Sequence, residues 1–383
     1  MTEIQIQGEV APGFEKVADA FADNFKLRGD TGAACTVYLS GKPVVDIWAG
    51  STGQAPWTRD TKSVVFSASK GILTVLLLMA ADLGRLELDA PVAAYWPEFA
   101  AAGKESITVR QVLAHQAGLI APEQDLTVPD LVAWAPVAEV LAKQAPLWTP
   151  GTAFAYHAVT MGFLAGEILR RATGERPSGR LRDHVAAPLR LEMGYGADLR
   201  DPNLAHIGEQ LPDLDPATSA AALAAAASDL PLIARVMGMS GALDGLDLFR
   251  TANSSDFLGH ESPAANLVTN ARNLARFYAA TVGNVDGIRL LTADVIRDAR
   301  KQQSSGVPYL GPADGNRWAT GFMINSPRRE MLGPGSFGHD GAGGQLGFAH
   351  LEHEVGFGYQ TIRPGGVPDD RAESLCLALR ACL

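Results

Sequence analysis

Cysteine is scarce in this chain: Cys35, Cys376 and Cys382 are the only three in 383 residues, an odd number with no C-x-x-C pair. That pattern excludes a disulfide framework and a cysteine zinc site, so all three read as small core or surface residues. His350 and His353 form an H-x-x-H, but it reads as a turn between two strands with both histidines solvated, and no metal site is expected. Basic residues are in the minority, 32 Lys and Arg against 42 Asp and Glu for a net charge of −10, and no basic run can be traced. Nucleic acid and anionic membranes are therefore not expected as partners. Long apolar stretches are missing as well, since the longest, Gly71 to Ala81, is roughly half of what a bilayer span needs. The first residues, MTEIQIQGEVAPGFEKVADAF, carry neither a cationic start nor the apolar segment of a secretory signal, which predicts a soluble cytoplasmic protein.

What is present suits an ordinary globular enzyme, with 47% hydrophobic and 19% charged residues. A chain this long can bury two lobes or one large folded unit. Phe14, Val17, Phe21 and Phe25 predict a helix from about Phe14 to Lys26. Two β-rich runs follow, Ala34 to Leu39 and Val44 to Ala49, joined across Ser40-Gly41. The C-terminal end repeats that texture with strand-like runs Leu346 to Leu351 and Val355 to Ile362. A last helix capped by Asp369 or Asp370 then ends near Cys382. Between the two ends, Gly71 to Leu83, Val109 to Ala114, Val137 to Gln144, Val159 to Ala172 and the Ala-rich Ala217 to Met237 all read as helical. The expected fold is α+β, with an antiparallel sheet built from residues 1–70 and 263–383 and flanked by helices. A mostly helical domain, 71–262, is inserted, and the active site is expected in the cleft between the two.

Three segments carry chemistry. In Val64-Val65-Phe66-Ser67-Ala68-Ser69-Lys70-Gly71 a β-branched run turns into a long apolar helix, and Ser67 and Lys70 make S-x-x-K. Residues three apart lie on one helix face, so the amine can reach the hydroxyl. The first turn also leaves backbone N–H groups beside Ser67 for a developing oxyanion. Burial and the positive helix end both disfavour the ammonium form, which suits Lys70 as a base. By itself the motif is weak, because 18 Ser and 8 Lys give about 0.4 chance matches in a chain this long. The competing reading is a capping serine with a solvated lysine. The second segment, Trp148 to Tyr156, is a turn leading into an amphipathic helix, with Tyr156 at the entrance and able to shuttle a proton. In the third, Phe337-Gly338-His339-Asp340-Gly341-Ala342-Gly343-Gly344 precedes the Leu346 strand. Its glycines allow close backbone approach, so the N–H of Ala342 can complement that of Ser67. The alternative there is a plain glycine-rich hairpin with a solvent-facing His339.

Taken in chain order, these segments resemble the serine β-lactamase and penicillin-binding-protein superfamily, especially class C β-lactamases and the family VIII carboxylesterases. S-x-x-K appears as Ser67-Ala-Ser-Lys70, and the family's L-L-x-H-x-S-G-L as Val112-Leu-Ala-His115-Gln-Ala-Gly118-Leu119. P-G-T-x-x-x-Y-S-N appears as Pro150-Gly-Thr-Ala-Phe-Ala-Tyr156-His157-Ala158, and the K-T-G strand as His339-Asp340-Gly341. The resemblance spans most of the chain. It implies a β-lactamase/transpeptidase-like fold and a serine carboxylesterase acting on short-chain acyl esters without a cofactor. Ser67 would form the acyl-enzyme, Lys70 and Tyr156 would act as general base and acid, and His339 and Gly341 would contact substrate. Two departures bear on substrate: Ala158 replaces the asparagine and His339 the lysine that help hold a β-lactam antibiotic, while H-x-G is a variant found in the esterase branch. An acyltransferase on the same Ser67, a β-lactamase or D-amino-acid peptidase, and a non-catalytic binding protein of this fold are the alternatives. An α/β-hydrolase is excluded, because no serine sits in G-x-S-x-G; Pro334 occupies the first glycine position in the nearest approach, around Ser336.

Overall fold

The structure, a computed structural model, describes residues 4–213, 216–217, 227–311, 313 and 315–383. Its main feature is an antiparallel sheet to which both ends of the chain contribute. Strands β1 (Gln7–Val10), β2 (Gly32–Leu39) and β3 (Lys42–Gly50) come from the first fifty residues, and β4 (Ser336–Asp340), β5 (Leu346–His350) and β6 (Val355–Thr361) from the last fifty. The spatial order runs β1-β3-β2-β6-β5-β4 and continues through Met323–Ile324, Arg317–Trp318 and Ser304–Ser305 to the far edge. The seam between the two ends is the β2–β6 pair, in register from Ala33↔Thr361 to Leu39↔Val355. β2 and β3 join through Ser40 and Gly41, which both have positive φ, the two-residue turn that matches the strands' twist. β1 was not expected, because four residues around a glycine, three of them exposed, carry no alternation to read.

Each face of the sheet is covered. Helices α1 (Glu15–Leu27) and, at the other terminus, Arg371–Arg380 lie on one face, where Val17, Phe21, Leu375 and Leu379 pack with Val37, Ile47, Phe348 and Phe357. On the other face lies Ala271–Val282, and there glycine is a packing requirement. A Cβ on Gly356 or Gly358 would stand 2.3 Å from the carbonyl of Ala275 or Ala271, so the helix backbone rests directly on β6.

The middle of the chain is helical, as its composition predicts. Ser69–Asp82, Val109–Leu113, Ala135–Lys143 and Thr160–Thr173 match the expected segments within two residues. Ser69–Asp82 has no solvated face for most of its length, being packed by Thr160–Thr173 on one side. Its core is continuous with that under the sheet: Leu73 and Phe163 share a buried cluster with Phe277, Phe337 and Ala349. Of the expected Ala217 to Met237 helix, the C-terminal part is seen as Leu230–Gly238, and residues 218–226 lie outside those described.

Some local expectations are corrected. The last helix ends at Arg380, near Cys382 as expected, and Asp370 is its N-cap residue, but the side chain that accepts a first-turn N–H is that of Asp369, from Arg371 at 3.2 Å. His350 is buried at the end of β5 with Nε2 3.0 Å from the Pro334 carbonyl, so only His353 of that pair is solvated.

Candidate active site

The site forms where the sheet edge meets the start of the buried helix. Residues Ser63–Val64 pair with Leu267–Thr269, and the Val65 N–H continues that pairing to the Leu267 carbonyl at 2.9 Å. The chain then turns abruptly. Phe66 has φ +46°, a conformation that bulky residues rarely hold unless their surroundings enforce it. Ser69 supplies the restraint: its hydroxyl donates to the Phe66 carbonyl and accepts the Leu267 N–H at 3.0 Å. Ser67 therefore sits in a single 3₁₀ turn, Phe66–Ala68, immediately before the α-helix and not within its first turn as expected. It is half-buried and lines the cleft, and its N–H has no acceptor within the described residues.

Lys70 is fully buried, and its surroundings define its state. Its Nζ is 2.6 Å from the Ala158 carbonyl, 2.9 Å from that of Ala264 and 3.1 Å from Ser67 Oγ. Burial pushes its pKa well below the ordinary lysine value, and the Asp340 carboxylate opposes only part of that effect. A neutral amine has two N–H bonds and one lone pair. With both hydrogens given to carbonyls, the lone pair is left for the Ser67 hydroxyl.

Tyr156 joins this pair, although the helix of its segment begins only at Thr160. Its ring lies 4.7 Å from Lys70 Nζ, with Trp318 stacked on it at 5.1 Å and His115 edge-on at 5.0 Å. Burial raises its pKa above the usual tyrosine range, with the Ser67 hydroxyl pulling the other way, so it remains a phenol. His115, a member of the Val112–Leu119 motif, accepts the His157 N–H on Nδ1 at 3.2 Å, and His157 accepts the Leu119 N–H at 3.1 Å. Those two histidines tie the Tyr156 segment to the Val112–Leu119 loop. Burial lowers the pKa of each.

His339 is 1% exposed, which removes the reading of a solvent-facing histidine. It adjoins Tyr156 and Trp318, with ring centres 6.0 and 5.7 Å away. Nδ1 lies 2.7 Å from the Asp340 carbonyl and so carries the hydrogen, which leaves Nε2 without a partner among the described residues. Burial holds its pKa down to about 4, so it is neutral at neutral pH. Beyond it, Asp340 is paired with Arg329 at 2.8 Å.

The glycine hairpin closes the site. Gly341 gives its own N–H to the Gln345 carbonyl at 2.8 Å, and a Cβ there would meet the Val65 carbonyl at 2.2 Å. Its part is close approach to the Ser67 turn rather than donation to a ligand. The next N–H, that of Ala342, has no acceptor among the described residues and lines the same cleft as Ser67.

Ser67, Lys70, Tyr156, His339, Gly341 and Ala342 are thus gathered at one cleft of about 450 Å³. Its apolar wall includes Phe66, Phe154, Phe249, Phe257 and Leu248. Sequence reasoning missed Trp318, Phe249 and Arg329, which stand far from the motifs along the chain and carry no local signal. Among the described residues no group of three or more His, Cys, Asp or Glu is placed to hold a metal.

Comparison with known proteins places this arrangement in context. The family model described as Beta-lactamase matches residues 21–379. The chain is 34% identical to the esterase/beta-lactamase LipL of Mycobacterium tuberculosis over 365 residues, 92% of this chain and 82% of that protein. It is similar to the crystal structure of a family VIII carboxylesterase, with 33% identity, a TM-score of 0.86, and 99% and 100% of the two chains covered. For EstA of Arthrobacter nitroguajacolicus Rue61a the values are 32%, 0.84, 99% and 98%.

Proposed function

Because this chain belongs to the beta-lactamase family and is a serine hydrolase, we propose that it is a carboxylesterase cleaving small acyl esters through an acyl-enzyme at Ser67. The observation that carries this reading is the Lys70 amine, whose two carbonyl contacts leave its lone pair to Ser67 Oγ at 3.1 Å. In the proposed reaction Lys70 takes the Ser67 proton as the oxygen attacks the ester carbonyl. Tyr156, held as a phenol, passes a proton to the departing alcohol. The N–H groups of Ser67 and Ala342 receive the oxyanion. Water then releases the acid by the same steps in reverse order of roles. The cleft lies between residues 1–70 with 263–383 and the inserted 71–262, the two lobes read from sequence. Among the described residues no helix is long and apolar enough to cross a membrane. Three free thiols fit a reducing compartment, and the cytoplasm is the proposed location.

The preference for esters over β-lactams rests on His339. A β-lactam carboxylate needs a full positive charge on that side of the cleft, and a histidine with a pKa of about 4 supplies none. Arg329 beside it is neutralised by Asp340. Arg328 at the rim is exposed, where water and salt weaken any ion pair. A small neutral ester loses nothing by the exchange. kcat/KM for a short-chain p-nitrophenyl ester should exceed that for a chromogenic cephalosporin by at least about 10²-fold, the scale of one lost charge-assisted contact. His339→Lys should narrow that gap mainly by improving the cephalosporin. Equal efficiency on the two substrates in the wild-type enzyme would sink the ester assignment.

A further inference from the structure

The hairpin that carries the Ala342 N–H is held from behind by a charged cluster of which Asp369 also lines the cleft, whereas Arg371 and Asp30 do not. Arg371, the first residue of the C-terminal helix, is 1% exposed, and each of its five guanidinium hydrogens has an acceptor. Nε–H donates to Asp369 Oδ1 at 2.8 Å. The Nη1 hydrogens go to Asp30 Oδ1 at 2.7 Å and the Arg363 carbonyl at 2.9 Å. The Nη2 hydrogens go to Asp369 Oδ2 at 2.7 Å and to the Gly343 carbonyl at 2.9 Å. Asp30 is itself fixed by Tyr359 Oη at 2.5 Å and Thr361 Oγ1 at 2.7 Å, both on β6. The cation therefore has one orientation, set by the centre of the sheet, and its remaining contact ends on the residue that follows Ala342.

Energetics favour a placement role over a purely stabilising one. Taking an arginine and a carboxylate out of water costs about as much as their attraction returns, and apolar replacements of such clusters often leave stability unchanged. Such a cluster does, however, fix geometry sharply, because every hydrogen bond to the planar fork is directional. Other restraints act on the same turn. Gly365 N–H also reaches the Gly343 carbonyl at 3.2 Å, Gly344 N–H reaches that of Gly341 at 3.2 Å, and Gln345 Nε2 donates to the Thr361 carbonyl at 2.9 Å. Only Arg371 brings charge, and it links the turn to three separate elements. A Cβ at Gly344 would lie 2.6 Å from Asp369 Oδ2 and 2.9 Å from Arg371 Nη2, so turn and cluster are in close contact.

We propose that Arg371 is a positioning residue for oxyanion stabilisation: through the Gly343 carbonyl it holds the 341–345 turn so that the Ala342 N–H faces the carbonyl oxygen of the ester attacked by Ser67. This rests on the esterase reading given above, in which that N–H is one of two oxyanion donors. Loss of the anchor lowers the rate of the chemical step while leaving the apolar wall that binds substrate in place.

The test compares wild type, Arg371→Met, Arg371→Lys and Asp369→Asn in kcat, KM and melting temperature on one p-nitrophenyl ester and its thionoester. Folded Arg371→Met should lose about 10²-fold in kcat, the scale of one oxyanion donor, with KM changed by less than about threefold. Because a carbonyl oxygen uses such donors far better than sulfur, its preference for ester over thionoester should shrink by about tenfold. Arg371→Lys, which keeps the charge but not the fork, should fall between the two. A folded Arg371→Met with wild-type kcat and wild-type ester preference overturns the proposal. If that variant does not fold, Asp369→Asn decides: a kcat loss of about tenfold at unchanged KM supports positioning, and unchanged kcat rejects it. Ser67→Ala separates the two layers of inference. If it remains active the catalytic reading itself fails; if it is dead while Arg371→Met behaves as wild type, only the positioning role fails.

Discussion

Ser67→Ala is expected to abolish turnover, lowering kcat/KM on a short-chain ester by at least about 10⁴-fold, because the remaining donors and binding surface cannot supply a nucleophile. The change removes one oxygen from a half-buried position in the Phe66–Ala68 turn, whose shape is kept by Ser69 and not by Ser67. Folding should therefore be intact, with a melting temperature within a few degrees of wild type, and the loss can be read as chemistry. A phosphonate ester should label wild type at Ser67 and leave the variant unlabelled, as seen by peptide mass. Label on any other serine, or residual activity near the wild-type level, contradicts the mechanism.

The second large effect concerns Lys70 and Tyr156. Lys70→Ala and Tyr156→Phe should each lower kcat by at least about 10²-fold, the usual scale for general acid–base groups, and the double variant should lose less than the product. Their environments give the two roles opposite signs with pH. Burial lowers the Lys70 pKa, so the active neutral amine persists to lower pH than an ordinary lysine allows, and the rate should rise with pH through that lowered pKa and then level off. Burial raises the Tyr156 pKa, so it keeps its proton across the whole neutral range and adds no alkaline loss below the ordinary tyrosine value of about 10. The acid-side limb should vanish from the residual activity of Lys70→Ala. Its persistence there would assign the limb to another group and remove Lys70 from the role of base.

Much of this was legible in the chain because it is local. The Ser67–Lys70 spacing, the turn before Tyr156 and the glycine run after His339 are each contained in a few residues, where periodicity and backbone freedom leave a readable mark. The long helices were equally plain, since Ser69–Asp82 and Thr160–Thr173 have the apolar content of buried helices. Short edge strands such as Gln7–Val10 and Ser304–Ser305 were not, as two to four residues hold no period.

The amino-acid sequence by itself determined that Ser67 and Lys70 share one side of a turn, that a sheet is drawn from both ends of the chain, and that His339 leads into a glycine-rich turn. Tertiary structure decided what those residues are chemically. Burial lowers the Lys70 pKa, and carbonyls 88 and 194 residues away, those of Ala158 and Ala264, fix the direction of its amine. The unpartnered nitrogen of His339 follows from its burial beside Tyr156 and Trp318. The free N–H of Ala342 depends on a hairpin pinned by Arg371. Spacing along a helix or turn is a property of a few consecutive dihedral angles, whereas protonation state and hydrogen-bond vacancy depend on which distant groups exclude water from an atom.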